Sequence, residues 1–566
     1  YDEHGQRLGE RAGFDAVVGN PPYSSVSGRR FREYFGEAFE SPEYQYDTFV
    51  LFIEHGVDLA RPLGYTSMIV PTTFMVEHHY SRIRTFLLSK TAISSLLHFK
   101  YPVFEDATVE SAIYVTVKLP SEKRPHAKIR AAFVYDSNSI KQDQLDYNLV
   151  SQNLLASLPD KDLNVHIAGS RARAMTRMLS EKVVPFGSIV EITVGIKPYQ
   201  TGKGCPKQTK EVVRSRTYDA TYKRDDTYRQ YLVGADINRY QLTANPNRWL
   251  SYGKWLAEPR QSAPFDAEIK MLIRQTGDSI IATVDRGQHL TLNNLHNVSI
   301  TDRRLSYGYV LAVLNSSAVN FFHQTNVPEE GRTFAEVKTV DLEVIPIPRI
   351  EFITPADERQ RLVEEASARF EKAVTKVIAS GSIGSDSPLD RTMLSKAASP
   401  ALDFIGERLA AQSEQSDVVH DLLAHLAERM IEMHQGKQER VEDFWLDLEG
   451  VTDAETFGAL RSRGKWESSL WKAKACRPFV DEESRSTRHL DESLGWNEDA
   501  FKVFVKMLVD KVQGLSDLVA VYRAHSPTYR DLVARIEATD WLIDQIVYKL
   551  YGLTEEEIAI VERREQ

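Results

Sequence analysis

Cysteine is scarce in this chain, and the scarcity excludes two common ways of stabilising a fold. Among 566 residues there are 2 cysteines, Cys205 and Cys476. They are too few for a disulfide framework, and neither has Cys or His neighbours at metal-ligand spacing. We therefore expect reduced thiols and no bound metal ion.

Long apolar runs are also missing. No segment approaches the roughly 18 apolar residues of a membrane span, and the first residues lack the basic and apolar regions of a signal peptide. The hydrophobic content of 42% is ordinary for globular proteins, and the length allows about three domains. These features predict a cytoplasmic protein with no membrane partner.

The most informative stretch is residues 14–23, which read FDAVVGNPPY. An apolar run that stops sharply predicts a buried parallel strand followed by a rigid loop, at the sheet edge where open α/β folds bind ligands. Pro21 and Pro22 fix two φ angles and remove two amide donors, which leaves the nearby carbonyl groups and the Asn20 side chain as acceptors. The alternative is a proline turn after a core strand, with no chemical role.

Such a loop suits a planar substrate that carries an amino group. The Asn20 side-chain oxygen and the Pro21 carbonyl can accept both hydrogens of an exocyclic amine, while Tyr23 stacks on the ring. This draws the nitrogen lone pair out of conjugation and makes the amine a nucleophile. We predict that Asn20, Pro21, Pro22 and Tyr23 are the catalytic residues.

At this point the chain resembles the amino-methyltransferases that use S-adenosylmethionine. Residues 47–54 (DTFVLFIE) and 64–74 (GYTSMIVPTTF) extend the resemblance to the gamma-class adenine-N6 DNA methyltransferases of the N-P-P-Y type, including Type IIG-like, endonuclease-linked enzymes. Residues 103–113 (VFEDATVESAI) are similar to a late catalytic motif of that class. The resemblance implies a partial Rossmann-like α/β domain over residues 1–165, with Tyr23 and Phe104 stacking on a flipped base. The alternative for Phe104 is an ordinary core aromatic.

One motif of this class is absent. Its members carry an upstream glycine-rich F-x-G-x-G turn and an acidic residue that hold the methionine and ribose of the cofactor. The segment before Phe14 contains no such turn, and downstream there are only weak glycine pairs, such as Gly381 and Gly384 in a serine-rich stretch with no strand before it. We expect this chain to be the carboxyl-terminal portion of a longer protein, with most of the S-adenosylmethionine site outside it, and to be inactive alone.

The net charge of −10 is unusual for a DNA-binding protein, but phosphate contacts need a basic surface only where the duplex lies. Between Lys203 and Arg229, eight Lys or Arg stand against four Asp or Glu, with Tyr218, Tyr222 and Tyr228 interleaved. Glycines, a proline and the lack of a clear period predict one or two surface loops that contact nucleic acid, the alternative being a solvated loop. The predicted DNA-binding residues here are Lys203, Lys207, Lys210, Arg214, Arg216, Lys223 and Arg224.

Residues 180–350 alternate short β-branched runs with turn signals, which predicts a mixed, strand-rich domain. Several phrases resemble the target-recognition domain that follows the catalytic domain in restriction-linked adenine methyltransferases: residues 231–240, 249–253, 270–275, 311–316 and 344–348. The resemblance implies that residues 270–275 run near the DNA groove, so Lys270 and Arg274 join the predicted DNA contacts.

Residues 351–566 are predicted to be helical. Apolar residues recur at helical spacing over residues 357–376, 422–433 and 501–512, and Thr554 with Glu557 predicts a capping box at the last helix. A small polar stretch near residues 380–390 predicts a flexible linker. We expect these helices to support the recognition domain or to clamp DNA, and we find no acidic nuclease motif among them.

The sequence therefore predicts a site-specific DNA methyltransferase that transfers a methyl group from S-adenosylmethionine to adenine N6. Its expected partners are double-stranded DNA and a restriction or defence subunit, within a restriction-modification or phage-defence system. Two alternatives stay open. One is a non-catalytic DNA-binding specificity module; the other is an N-P-P-Y methyltransferase acting on protein glutamine or RNA guanine, although those enzymes are compact and lack the further domains.

Overall fold

The computed structural model describes residues 4, 12–26, 28–43, 47–104, 110–119, 127–141, 145, 147–158, 161–163, 169–261, 263–327, 336–379, 389–461, 470, 472–480, 490–509 and 514–562. The chain divides into two compact units. Unit 1 comprises Tyr1–Val183, Phe321–Pro328 and Gly552–Gln566, and unit 2 comprises Val184–Asn320 and Glu329–Tyr551. No helix in the described ranges is long and apolar enough to cross a membrane.

Unit 1 is built on one sheet. Its described strands are β1 (Phe14–Gly19), β2 (Ala60–Pro71), β3 (Ala92–Phe99), β4 (Ser111–Val117), β5 (Lys128–Val134) and β6 (Asn148–Ser151). They lie in the order β1-β2-β4-β3-β5-β6. The pairs β1–β2 and β3–β5 are parallel, whereas β4 runs antiparallel to β2 and β3. This is a partial Rossmann-like sheet, as the sequence predicts.

The helices of unit 1 are α1 (Arg29–Ala38), α2 (Thr48–Leu59), α3 (Thr73–Val76), α4 (Ser81–Lys90), α5 (Ser137–Lys141), α6 (Gln152–Ser157) and α7 (Gly169–Met178). Two of them, α2 and α4, cover the sheet with apolar faces. α2 buries Phe49, Val50 and Ile53, and α4 buries Ile83 and Leu87. α2 packs on β2 and α4 on β3, so burial of these side chains fixes the two helices on the sheet.

β1 is parallel, as predicted, but it is not buried. Phe14 is 61% exposed and Val18 is 80% exposed. In the described part of the sheet β1 is the edge strand and pairs with β2 alone, so its apolar side chains lack neighbours on the other side. The prediction of a buried strand is therefore wrong for this chain.

Residues from 183 to 348 are rich in short strands, which confirms that prediction. They are β7 (Val183–Pro185), β8 (Val190–Val194), β9 (Asp219–Ala220), β10 (Tyr228–Leu232), β11 (Ile237–Asn238), β12 (Gln241–Leu242), β13 (Trp249–Ser251), β14 (Lys270–Arg274), β15 (Ala282–Asp285), β16 (Leu290–Thr291), β17 (Leu295–Ile300) and β18 (Pro346–Pro348). Two four-stranded sheets, β15-β14-β17-β8 and β16-β10-β13-β9, form its main body. The first is antiparallel throughout.

The later residues are helical, as predicted. The helices after α7 are α8 (Lys210–Ser215), α9 (Ala263–Asp266), α10 (Tyr307–Leu314), α11 (Ser317–Asn326), α12 (Thr339–Glu343), α13 (Ala356–Ala379), α14 (Arg391–Leu409), α15 (Ser416–Val451), α16 (Ala454–Leu460), α17 (Glu498–Leu508), α18 (Leu515–Tyr551) and α19 (Glu555–Val561). In unit 2, α15 packs along α18 and against α10. Most of the predicted linker, residues 380–388, lies outside the described residues.

The last helix, α19, belongs to unit 1. Thr554 caps its start: the Thr554 hydroxyl accepts from the Glu557 amide, and the Thr554 amide donates to the Glu557 carboxylate at 2.9 Å. The predicted capping box is confirmed. Glu557 also accepts a hydrogen bond from Arg177 on α7 at 2.9 Å, which joins α19 to a helix far away in the sequence.

A carboxylate from α18 caps α11 in unit 2. Asp544 accepts from the Ser317 amide at 2.7 Å and from the Ser317 hydroxyl at 2.6 Å. Burial, and then repulsion from the neighbouring Asp540, raises the pKa of Asp544 to about 7. The ordinary pKa of an aspartate is about 3.9, so the folded protein keeps this proton over a range in which the unfolded chain releases it.

We therefore expect the free energy of unfolding of Asp544→Asn to exceed that of the parent by an amount that increases as the pH rises. Between pH 4 and 7 the parent loses stability by at most about 1.4 kcal/mol per pH unit, because only its unfolded state is ionised at this position. Urea unfolding at pH 5, 6, 7 and 8 should show the gap between variant and parent widening up to about pH 7 and then levelling. Asp517→Asn, at an exposed position of the same helix, is the control. A gap that is constant with pH would contradict the prediction.

Candidate functional site

The N-P-P-Y loop lies at the carboxyl edge of the unit 1 sheet. Because β1, β2 and β3 run in one direction, their carboxyl ends share this edge, and the connection from β3 to β4 crosses it. Asn20 to Tyr23 directly follow β1, and Phe104 lies in that connection. The sheet thus brings both predicted segments to the edge where α/β folds bind ligands.

Asn20 is the polar group that the loop leaves free. It is exposed, and within the described part of the chain its side chain makes no hydrogen bond. Pro21 beside it is buried and Pro22 is exposed. The Asn20 amide can therefore accept from an incoming ligand without first breaking a bond within the protein.

The start of α2 holds this loop in place. The Thr48 hydroxyl lies 2.6 Å from the Pro22 carbonyl oxygen and 2.8 Å from that of Ser24, and the Thr48 amide donates to Ser24 at 2.9 Å. The Ser25 hydroxyl donates a hydrogen bond to the Asp47 carboxylate. These bonds fix the backbone on the carboxyl side of the two prolines, while β1 holds the other end, so the loop is anchored at both ends.

Tyr23 is half-buried, and two contacts orient its ring. Its hydroxyl donates to the Ile69 carbonyl at 3.2 Å, and its ring meets Phe49 edge-on with the ring centres 6.3 Å apart. Burial raises the pKa of Tyr23 despite the nearby Ser111 hydroxyl. A ring held by its hydroxyl and one edge keeps a face available for stacking.

Phe104 is half-buried, and the remainder of its predicted motif, residues 105–109, lies outside the described residues. In the same connection, His98 near the end of β3 contacts Glu110 before β4, with Nε2 and Oε2 2.7 Å apart. Burial lowers the pKa of His98; burial opposes ionisation of Glu110, but its bonds to His98 and Lys100 outweigh this and lower the Glu110 pKa. A neutral imidazole donating to a carboxylate therefore ties together the two ends of the connection that carries Phe104.

Sequence reasoning missed the groups that support the loop. Tyr80 donates to Asp47 at 2.6 Å, and burial followed by this contact raises the pKa of Tyr80. Asp47 stands directly before an apolar helix, which is an N-cap pattern. Its side chain makes no cap hydrogen bond and binds the loop and Tyr80 instead.

The predicted basic segment forms an exposed surface in unit 2. It contains a short helix, α8, capped by the Thr209 hydroxyl, so the expectation of loops alone is wrong for residues 210–215. All seven cations predicted here are exposed: Lys203, Lys207, Lys210, Arg214, Arg216, Lys223 and Arg224. We call these seven side chains the basic surface.

Aromatic rings are interleaved with the basic surface, as predicted. Tyr199 and Tyr218 stack with their ring centres 5.7 Å apart, and the Arg216 guanidinium lies 5.2 Å from the Tyr199 ring. The Arg224 guanidinium lies 5.9 Å from the ring of Tyr222, which is 63% exposed. Flat cationic and aromatic groups are therefore displayed together.

Lys270 does not belong to this surface, and the structure contradicts its prediction as a DNA contact. Its side chain is 1% exposed, donates to the carbonyl groups of Phe265 and His289, and lies 3.7 Å from the Asp285 carboxylate. Burial lowers the pKa of Lys270 even though Asp285 opposes the shift. An ammonium group enclosed in this way cannot reach a phosphate.

The Arg274 side chain is half-buried. Its guanidinium donates to the Ile237 carbonyl and, at 3.1 Å, to the Asn238 side chain, both on β11. Burial lowers the pKa of Arg274. These contacts support β11, and the role of Arg274 in DNA binding stays a prediction.

Two regions of the chain match known protein families. Residues 2–104 match the Eco57I restriction-modification methylase family, and residues 229–347 match the TaqI-like C-terminal specificity domain. The chain therefore carries a region similar to a restriction-modification methylase, followed by a region similar to a TaqI-like specificity domain.

Two curated relatives are both named as type II restriction enzymes and methyltransferases. A putative type II restriction enzyme and methyltransferase of Methanocaldococcus jannaschii, RM.MjaORFECS2P, is 23% identical over 320 residues, which is 55% of this chain and 25% of that protein. The type II restriction enzyme and methyltransferase RM.Eco57I of Escherichia coli is 27% identical over 106 residues, which is 18% of this chain and 11% of that protein. This chain thus matches a quarter or less of either relative.

Among solved structures, the Type IIL restriction-modification enzyme MmeI in complex with DNA is 12% identical, with a TM-score of 0.38 over 73% of this chain and 57% of that one. The DrdV–DNA complex is 11% identical, with a TM-score of 0.38 over 96% of this chain and 58% of that one.

Proposed function

We propose that this chain is part of a site-specific DNA methyltransferase that methylates adenine N6 within a bacterial restriction-modification or other phage-defence system. The observation that carries the proposal is the free Asn20 side chain in an anchored N-P-P-Y loop, inside the region that matches a restriction-modification methylase. The enzyme would work in the cytoplasm, on double-stranded DNA, and with a restriction or defence subunit or domain as partner.

Residues of this chain would bind and orient the target base. An adenine in a duplex cannot present N6 to an enclosed site, so the base must leave the stack. The Asn20 oxygen and the Pro21 carbonyl then accept the two amine hydrogens, and Tyr23 and Phe104 hold the ring from its two faces. Both hydrogen bonds draw the nitrogen lone pair out of conjugation with the ring, which makes N6 a nucleophile. The surplus proton leaves N6 after the methyl group has been transferred.

S-adenosylmethionine would supply the electrophilic methyl group. The described residues contain no glycine-rich turn after a strand of the kind that holds the methionine and ribose of this cofactor. We propose that a preceding segment of a longer protein supplies it and packs against the free edge of β1. The exposed apolar side chains of Phe14 and Val18 support this proposal, because an exposed apolar edge strand is a pairing surface.

The basic surface would contact the DNA backbone. Each phosphate contact displaces a counterion, so the slope of log K against log salt becomes shallower by about 0.9 for each such contact that a substitution removes. We expect Lys203→Ala, Lys207→Ala and Lys210→Ala together to reduce that slope by about 2 to 3 and to weaken binding to all sequences equally. Fluorescence anisotropy with labelled duplexes from 50 to 200 mM salt measures this effect.

The matched control for that experiment is the triple variant Lys372→Ala, Lys376→Ala and Lys396→Ala, which removes three exposed lysines from α13 and α14. We expect it to leave the slope unchanged. An equal reduction of the slope in both triple variants would mean that overall charge, and not the basic surface, determines binding.

A second candidate is a non-catalytic DNA-binding specificity module. The absence of a glycine-rich turn from the described residues favours it for this chain taken alone, while the TaqI-like specificity domain would still read DNA. The two candidates differ in whether any form of the protein transfers a methyl group.

The deciding experiment compares this chain with the upstream-extended gene product. Both are incubated with DNA and S-adenosylmethionine carrying a radiolabelled methyl group, with Asn20→Ala as the control. We expect label on adenine N6 with the extended form only. Label on protein or RNA, or no label with either form, would remove the proposed methyltransferase and leave the specificity module.

A further inference from the structure

The loop between β15 and β16 in unit 2 carries an exposed glutamine on an unusual backbone. Gln288 has a φ of 53°, in the left-handed region that favours glycine and that other residues rarely adopt. The residue is exposed, and its side chain makes no hydrogen bond within the part of the chain that the structure describes. Residues with this backbone persist where the surrounding structure holds them, and they concentrate at binding sites.

Buried groups hold this loop from beneath. The Asp285 carboxylate, which is 1% exposed, accepts from the Gly287 amide at 2.8 Å, from the His289 amide at 3.0 Å and from the His289 ring at 2.8 Å. The Lys270 ammonium group lies 3.7 Å from the same carboxylate and donates to the His289 carbonyl at 2.6 Å. The residues on both sides of Gln288 are therefore fixed by groups that solvent does not reach.

Arg229 holds the main chain of Gln288 from the neighbouring strand. Its guanidinium donates to the Gln288 carbonyl oxygen at 3.0 Å. β10 and β16 are parallel neighbours, with Tyr231 paired to Leu290. Arg229 and Gln288 each precede that pair by two residues, so they lie at the same edge of the sheet. The backbone of Gln288 is bound, and its side-chain amide is left free.

The same edge of the sheet carries part of the basic surface. Lys223 and Arg224 lie in the segment that leads into β10, and the Arg224 guanidinium is 5.7 Å from the ring of Tyr228, the first residue of β10. Lys223 pairs with Asp226 at 3.1 Å, whereas Arg224 forms no ion pair within the described ranges. Because parallel neighbours begin at one edge, an uncompensated cation and the free Gln288 amide are presented there together.

A cation and a free amide supply the two kinds of contact that sequence-specific DNA binding needs. Lys and Arg contacts with phosphates position the duplex but carry no sequence information, which is read at the base edges. The donor and acceptor of a glutamine amide match the N7 and N6 atoms of adenine in the major groove. A side chain on a backbone that is already fixed also loses less freedom when it binds.

We infer that Gln288 reads an adenine that stays stacked in the duplex, from the major groove, and that the buried pair of Asp285 and Lys270 positions it. The inference rests on the DNA binding that both candidates under the proposed function share, and it does not require methyl transfer. It also gives Lys270 a role, since this lysine supports a residue that contacts DNA and does not touch DNA itself.

Selection of bound duplexes from a library with a randomised central stretch, followed by sequencing, tests the inference. The upstream-extended gene product is used without S-adenosylmethionine, so that binding alone is measured. We expect the parent to select a consensus that contains adenine. In Gln288→Gly one adenine position should lose its preference, with discrimination reduced roughly 5- to 150-fold, the effect of one bidentate base contact. The other positions should be unchanged.

Three variants separate base reading from folding. Glycine suits the left-handed backbone at position 288, so Gln288→Gly should unfold at no lower urea concentration than the parent. Gln288→Arg should change the preferred base at the affected position from adenine to guanine, because arginine pairs with the O6 and N7 atoms of guanine. Gln412→Ala removes an exposed glutamine between α14 and α15 and should select the parent consensus.

A consensus that keeps every adenine in both Gln288 variants would overturn the inference. An equal loss of affinity for all duplexes would also overturn it, because that is the effect of a lost phosphate contact, and so would the absence of any consensus from the parent. Transfer of the radiolabelled methyl group is measured separately on the same preparations. A failure of the proposed methyltransferase is therefore distinguishable from a failure of base reading by Gln288.

Discussion

Replacing Asn20 by alanine is expected to lower kcat for adenine methylation by about 100- to 1,000-fold in the upstream-extended enzyme, the effect of removing one positioned hydrogen-bonding group from a transition state. The KM for DNA should change little, because the hydrogen bond strengthens as the nitrogen becomes a nucleophile and contributes little to ground-state binding. Single-turnover transfer of a radiolabelled methyl group measures the chemical step directly.

Two further variants sharpen this prediction. Asn20→Asp keeps an acceptor oxygen at the same place, so it should retain more activity than Asn20→Ala. Asn138→Ala removes an exposed asparagine from α5, which follows β5, the fourth strand along from β1 in the sheet order, and should be fully active. If Asn20→Ala raises KM and leaves kcat unchanged, Asn20 binds the base without activating its amine.

The second large effect concerns the stability of unit 1. Arg84 is 0% exposed, forms an ion pair with Asp162 at 3.0 Å, and donates to the carbonyl oxygens of Phe74 at 2.9 Å and Glu77 at 2.8 Å. Replacing it by methionine keeps most of the packing volume but removes the guanidinium from the buried Asp162 carboxylate. Breaking a buried pair from one side costs about 3 to 5 kcal/mol, and we expect a loss of this size in the urea unfolding of unit 1.

Arg82→Met is the matched control, because Arg82 lies on the same helix with its side chain 63% exposed and 4.0 Å from Glu43. A surface pair of this kind contributes about 0 to 1 kcal/mol. Equal losses in the two variants would show that the buried pair adds no particular stability. The double variant Arg84→Met with Asp162→Asn should recover part of the lost free energy of unfolding, because it also removes the buried charge of the Asp162 carboxylate.

The local features of this fold could be predicted from sequence, because they depend on neighbouring residues. The parallel direction of β1, the loop after it and the capping box at Thr554 each follow from a few consecutive side chains. The exposure of β1 could not be predicted, since an apolar run indicates a preference for burial but does not say which strands are present to provide it.

Lys270 shows a second limit. A lysine at the first position of a strand is normally exposed, and no residue near Lys270 in the sequence indicates a buried partner. Its position follows from strand register, because Lys270 pairs with Asp285 across β14 and β15, and register is set by the whole sheet. The contact of Asp47 with Tyr80 is of the same kind, since it joins residues 33 positions apart. Long-range polar contacts of this kind place the supporting groups of a site, and one sequence does not specify them.

The hydrogen bond between Arg177 and Glu557 has a consequence for biosynthesis. Its partners are 380 residues apart, and ribosomes add roughly 5 to 20 residues per second. The helix α7 therefore emerges about 20 to 75 seconds before α19 can dock on it. During that interval the part of unit 1 that has already been synthesised lacks this contact between α7 and α19.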